Sequence, residues 1–178
     1  MYISKEIIIE VLSDVLENIE FYEHRNQLSL INIPKEKIVE VCKLLRDDVR
    51  TKFSQLIDIT AIDWLKKRNP RFEVVYFLYS LEYKWRLRLK VPLSEYDLHI
   101  ETVTPVWDSA NWYERETYDM YGVIFDHHPD FRRFYMPEDY VDPETGDPIY
   151  PLRKDFPLMG IPDSLPLPPY PEKYGELE

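Results

Sequence analysis

Apolar residues recur at helical spacing in the first stretch of the chain, SKEIIIEVLSDVLENI (residues 4–19). Ile7, Ile8, Val11, Leu12, Val15, Leu16 and Ile19 share one face, and Ser4 stands where a helix is capped. The pattern predicts one amphipathic helix across this stretch. A strand is predicted near Leu28–Ile33. Pro34 suits the first turn of a second helix, where its missing N–H is not needed. Ile38, Val41, Cys42, Leu45 and Val49 form that helix's apolar stripe. Three segments rich in β-branched and aromatic residues follow: Phe53–Ala61, Phe72–Ser80 and Lys84–Val91. In the last, Trp85, Leu87, Leu89 and Val91 alternate with Arg86, Arg88 and Lys90, which reads as a strand with one solvated, cationic face. A third helix is predicted from about Ala110 to Tyr121, with Ser109 or Asn111 as its cap and Gly122 as a left-handed stop. The fold class that follows is α+β: a mostly antiparallel sheet with two N-terminal helices on one face and a third helix near 110–121.

Beyond Gly122 the texture changes. Of 15 prolines, ten lie between Pro137 and Pro171. Proline donates no backbone hydrogen bond and breaks helices and central strands, so this stretch builds no domain of its own. It is nonetheless apolar, with Ile149, Tyr150, Leu152, Phe156, Leu158, Met159, Ile161, Leu165, Leu167 and Tyr170. The chain therefore divides into a body, residues 1–136, and an extended proline-rich docking arm, residues 137–178. Such an arm needs a surface to lie on, its own body or another subunit.

Composition narrows the function classes. The 178 residues are 44% hydrophobic and 15% aromatic, enough for a real core. A net charge of −11 disfavours a nucleic-acid binder, which needs a basic face. Cys42 is the only cysteine, so the chain forms no internal disulfide and cannot hold an iron–sulfur cluster on four cysteines. Its place in an apolar stripe makes it a buried structural thiol. Four glycines, none in a strand–turn–helix setting, leave no Walker loop and no dinucleotide fingerprint. No apolar run has the roughly 18 residues of a spanning helix. The start, MYISKEIIIEVL, reads as neither signal nor transit peptide.

The candidate chemistry lies in ERETYDMYGVIFDHHPDFRR, residues 114–133. On a helical wheel Arg115, Glu116 and Asp119 fall within about 60° of Trp112. Glu116, Asp119 and His128 are the residues a metal-dependent hydrolase would use. Three arginines, Arg115, Arg132 and Arg133, compete for the same carboxylates, and the histidines lack metal-ligand spacing. The alternative is an ion-pair network tying the helix to the following loop, with at least one carboxylate paired to an arginine.

The same window closely resembles the signature of the 30-kDa subunit of respiratory complex I, also known as the C subunit of NADH-quinone oxidoreductase. The pattern is met by Glu114, Arg115, Glu116, Tyr118, Asp119, Gly122, Phe125, His128, Pro129, Arg132 and Arg133. DITAIDW, RFEVVYFLYSL, RLRLKVPL, TPVWDSANW and MPEDY…PLRKDFPL resemble it too, in the family's order, over roughly residues 25–158. The resemblance implies a non-redox structural subunit of the hydrophilic arm of a proton-translocating NADH-quinone oxidoreductase. It would brace the large 49-kDa-type subunit and meet other hydrophilic-arm subunits, near the quinone site. It implies no catalytic residue, metal or cofactor on this chain, FMN, iron–sulfur clusters and quinone being held by other subunits. The implied place is peripheral, on the cytoplasmic side of a bacterial inner membrane or the matrix side of a mitochondrial one. Equivalent subunits occur in energy-converting hydrogenases and in ferredoxin- or F420-dependent relatives. The ending MGIPDSLPLPPYPEKYGELE departs from the longer extension of many relatives.

Overall fold

The computed structural model describes residues 3–25 and 27–157. Its elements, in chain order, are α1 (Lys5–Leu12), β1 (Glu20–His24), β2 (Gln27–Ile31), α2 (Ile38–Asp47), β3 (Gln55–Asp63), β4 (Phe72–Tyr79), β5 (Arg86–Leu93), β6 (His99–Glu101), α3 (Ala110–Tyr121) and β7 (Ile124–Asp126). Five strands form one sheet in the order β1-β2-β5-β4-β3, while β6 and β7 form a separate parallel pair. All pairings in the large sheet are antiparallel except β2 with β5. The architecture is the α+β class that the patterning predicts. The distal part of the proline-rich arm, residues 158–178, lies outside the described residues.

The core lies between one face of this sheet and the first two helices. Phe72, Val74, Tyr76 and Leu78 of β4 sit opposite Leu93, Val91, Leu89 and Leu87 of β5, and all eight are buried. They meet Ile8, Val11 and Leu12 of α1 and Ile38, Val41, Cys42 and Leu45 of α2. Burial pushes the Cys42 thiol far up, so it packs as a small hydrophobe.

Four local expectations are corrected. The first helix ends at Leu12 and not near Ile19, because β1 pairs with β2 along its whole length and takes the chain from Glu20 onward. Ser4 makes no cap hydrogen bond, its hydroxyl turning to the Glu6 carboxylate. α2 starts after a single 3-10 turn, Lys35–Lys37, and ends at Asp47, so Val49 drops out of the stripe and is 68% exposed. The cationic face of β5 is not simply solvated: Lys90 is spent on buried Glu73 at 2.8 Å, and Arg88 lies over the Phe77 ring.

β3 is an edge strand, and α3 closes that edge. The Thr117 hydroxyl lies 2.9 Å from the Ile59 carbonyl, and Ser109 donates to the Leu56 carbonyl at 3.4 Å. Ser109 is the N-cap residue by position, but its hydroxyl serves the neighbouring strand in place of its own helix. Covering an edge in this way removes a template for unwanted strand pairing.

Candidate functional site

α3 spans the residues its pattern predicts and stops at Gly122 with φ +77°, the left-handed turn that only glycine adopts without strain. A side chain there would also strike the Tyr150 ring, 2.7 Å from an added Cβ, and the Arg153 guanidinium. The helix is unusual in what it buries. Glu114, Arg115, Thr117 and Asp119 are all inside. The reason is that α3 is covered on two sides, by β3 and the turn at residues 102–103 on one, and by residues 129–153 on the other.

On the sheet side, the Glu114 carboxylate accepts hydrogen bonds from the Val103 amide at 2.7 Å and from the Thr102 hydroxyl. No lysine or arginine among the described residues pairs with it. Burial raises its pKa to about 7 against those two hydrogen bonds, with Glu101 adding repulsion. The His128 Nε2 is 3.9 Å away but is directed to the Asn111 carbonyl at 3.1 Å, while Nδ1 accepts from the Asp130 amide at 3.1 Å. One ring nitrogen donates and the other accepts, which fixes the neutral tautomer with its proton on Nε2. Burial, with Arg115 nearby, holds that ring below the usual histidine pKa.

On the other side, Asp119 gathers the turn that follows. One of its oxygens accepts the amides of Phe134, Tyr135 and Met136 at 2.6, 2.6 and 3.2 Å, and the other meets Arg133 Nη1 at 3.4 Å. Arg133 also donates to the carbonyls of Tyr140 and Ile149, so one guanidinium ties α3 to the start of the arm. Arg115 donates to the carbonyls of Arg132 and Arg133 and to Asp130, and its guanidinium lies against the rings of Trp112 and Phe134. Tyr118 packs against Phe131 and Tyr150. Phe125 is a core residue, while Pro129 and Arg132 lie at the surface, Arg132 held by Asp130.

The sequence places Glu116 and Asp119 on one arc, and the structure separates their roles. Asp119 makes the carboxylate–arginine pair. Glu116 makes none among the described residues, and burial together with Asp58 raises its pKa. Glu116, Asp119 and His128 do not converge: among the described residues no group of three His, Cys, Asp or Glu could hold a metal.

A second anchor escaped the sequence reading. Asp63, at the end of β3, accepts a two-pronged pair from Arg71 at 2.9 and 2.7 Å and the amides of Leu65 and Lys154. Burial would raise its pKa, yet Arg71 and the two amides prevail and bring it to about 2. Arg71 reaches on to Asp155 at 2.9 Å. Arg153 donates to the Tyr121 carbonyl at 2.6 Å and stacks on Tyr150. Residues 140–156 thus lie on the chain's own body, with Tyr140 and Ile149 buried. The signal was present, since Asp63 interrupts an alternating strand on its core-facing parity. Its partners, eight and some ninety residues away, gave no local clue.

The geometry defines an α+β subunit in which Arg115, Asp119 and Arg133 hold residues 130–149 of the same chain and Glu114 holds the turn at residues 102–103. The chain belongs to the family of the 30-kDa subunit of respiratory-chain NADH dehydrogenase, whose model matches residues 31–162. It is 47% identical over 148 residues to the NADH-quinone oxidoreductase C subunit of Geotalea uraniireducens, covering 83% of both chains. It is 45% identical to the C subunit of Geobacter sulfurreducens, covering 81% of this chain and 82% of that one. A solved trypsin-resistant fragment (1-134) of Nqo5 superposes with a TM-score of 0.58 at 29% identity, covering 71% of this chain and 97% of the fragment. A chain of the membrane-bound sulfane sulfur reductase, an archaeal respiratory membrane complex, gives 0.66 at 28% identity, covering 87% and 86%. The chain is therefore a subunit of a multi-subunit assembly of the complex I type. Among the described residues no helix is long and apolar enough to cross a membrane.

Proposed function

We propose that this chain is a non-redox structural subunit of the hydrophilic arm of a proton-translocating NADH-quinone oxidoreductase. It braces the large 49-kDa-type subunit near the quinone site and performs no chemical step itself. FMN, iron–sulfur clusters and quinone belong to other subunits. The observation that carries this reading is the occupancy of the signature cluster. Glu114, Arg115, Asp119, His128 and Arg133 each spend their polar atoms on backbone or side-chain partners within the chain. What they leave outward is an aromatic patch: Trp112, Phe134 and Tyr135, with Trp112 54% and Tyr135 59% exposed. Aromatic side chains restrained beforehand, Trp112 and Phe134 by Arg115 and Tyr135 by Phe134, are what a protein interface uses as anchors.

The test is to count complexes and turnover separately. Glu114→Ala, which leaves the Val103 amide and the Thr102 hydroxyl without their partner, and Asp119→Asn should lower the amount of assembled complex seen on native gels. Quinone reductase activity divided by that amount should stay near the parent value. A full complement of complexes with activity down tenfold, about 1.4 kcal/mol in the barrier, would make these residues chemical and refute the bracing role. A second reading, an equivalent subunit in a related respiratory complex with another electron donor, is favoured by the likeness to the sulfane sulfur reductase complex. Measuring which donor reduces the purified assembly separates the two.

A further inference from the structure

The sheet face turned away from α1 and α2 carries a site that the signature cluster does not use. Strand register sets Gln27, Phe77, Tyr79, Arg86 and Arg88 on this face, opposite in parity to the core residues Leu78, Leu87 and Leu89. At Leu56/Asp58 a bulge in β3 pushes Ile57 out, and it is 47% exposed. Between this bulge, Phe77, Gln27 and the two arginines lies an open hollow of about 260 Å³. The guanidinium of Arg88 lies 5.2 Å from the Phe77 ring centre and that of Arg86 5.8 Å from Tyr79. Among the described residues Arg88 bonds to the neutral Gln27 amide, and neither arginine has a carboxylate partner. Glu73 is taken by Lys90 and Arg68, while Asp58, across Phe77 from Arg88, makes no ion pair among the described residues and burial raises its pKa.

Two guanidiniums without counter-ions, held against rings beside an apolar hollow, are conspicuous on a chain of net charge −11. We propose that this hollow docks an acidic segment of another subunit of the assembly, with one apolar side chain in the hollow and flanking carboxylates on Arg86 and Arg88. The guanidinium fork matches a carboxylate in shape and charge. Stacking on Phe77 and Tyr79 restrains both arginines beforehand, which lowers the entropy lost on docking. A nucleic acid or an anionic lipid surface requires a broad basic field, which the overall charge opposes. The inference rests on the chain's place in a multi-subunit assembly and not on the bracing role of the Trp112 patch.

The experiment uses the intact complex in native membranes. A photo-reactive benzoylphenylalanine replaces Ile57, and in a parallel sample Trp112. After irradiation, mass spectrometry identifies the adduct. At position 57 the expected adduct is a peptide of another subunit with aspartate or glutamate within a few residues of the linked atom. Arg86→Glu with Arg88→Glu should cut its yield about tenfold or more, because like charges would then face each other. If that pair lowers assembly, Arg86→Gln with Arg88→Gln gives the same comparison without repulsion and should still lower the yield per complex. An adduct to lipid, to this chain's own residues, or to a segment indifferent to both charge changes overturns the proposal. So does the absence of any adduct at 57 while position 112 gives one. An adduct at 57 without one at 112 would spare this proposal and count against the bracing surface.

Discussion

Replacing Asp119 by alanine should be among the most damaging single changes this chain can suffer. The side chain has no exposed surface, and its oxygens hold the amides of Phe134, Tyr135 and Met136 and the guanidinium of Arg133. Without it three amides lose their acceptor, and a buried guanidinium keeps only carbonyl partners. Leaving one half of a buried ion pair uncompensated costs about 3–5 kcal/mol. A whole domain is stable by only about 5–15 kcal/mol. Urea unfolding of the full chain, followed by far-UV circular dichroism, should show stability falling by that amount through a lower midpoint, with little change in slope. Asp119→Asn should fall between, since it keeps an acceptor and loses the charge. Combining Asp119→Ala with Arg133→Met should cost less than the two single changes added, with a coupling of about 1–3 kcal/mol. Glu116→Ala is the control. Glu116 shares the helix arc but has no cation among the described residues, and burial and Asp58 already disfavour its charge. Its loss should stay within about 0.5 kcal/mol of the parent. If Asp119→Ala behaved like that control, the view of Asp119 as the organiser of the 133–136 turn would be wrong.

Three further outcomes follow from the same contacts. Asp63 has a folded pKa of about 2 and an unfolded value near 3.8, so its contribution is present above pH ~4 and lost as pH falls toward 2; it amounts to about 2–3 kcal/mol, and Asp63→Asn should flatten the acid limb of the stability profile. Glu114 is opposite in sign: its pKa is raised from 4.5 to about 7, so its contribution is full below pH ~4.5 and lost as pH rises through 7. Glu114→Gln should remove a slope totalling about 3 kcal/mol, and the infrared band of a protonated carboxyl should titrate near pH 7 in the parent and vanish in the variant. Gly122→Ala places a Cβ against Tyr150 and Arg153 at positive φ, so it should cost more than about 1 kcal/mol and loosen residues 150–155 in hydrogen exchange, while Gly146→Ala, with open space around it, should cost only the backbone strain.

The sequence by itself determined the local periods and the stops. α3 runs from Ala110 to Tyr121 as its caps predict, because a left-handed glycine ends a helix whatever surrounds it. β4 follows from its β-branched and aromatic richness and β5 from alternation, and Cys42 is buried as its stripe requires. Ordered motifs from DITAIDW to PLRKDFPL pointed to the family, since each is a short run whose residues are near in the chain. Only the tertiary structure decided where helix and strand compete and which charges pair. α1 stops at Leu12, and from Glu20 the chain is taken by the hydrogen-bond ladder between β1 and β2, a long-range pairing that helical spacing does not announce. Edge strand β1, mostly exposed and carrying Glu20 and Glu23, shows no clear alternation to announce it. The choice between Asp119 and Glu116 as partner of an arginine turned on which of them faces a turn fourteen residues on. Asp63 found Arg71 and the Lys154 amide across the fold. Periodicity reports the environment of one element at a time, whereas a buried charge is defined by the partners that folding brings to it.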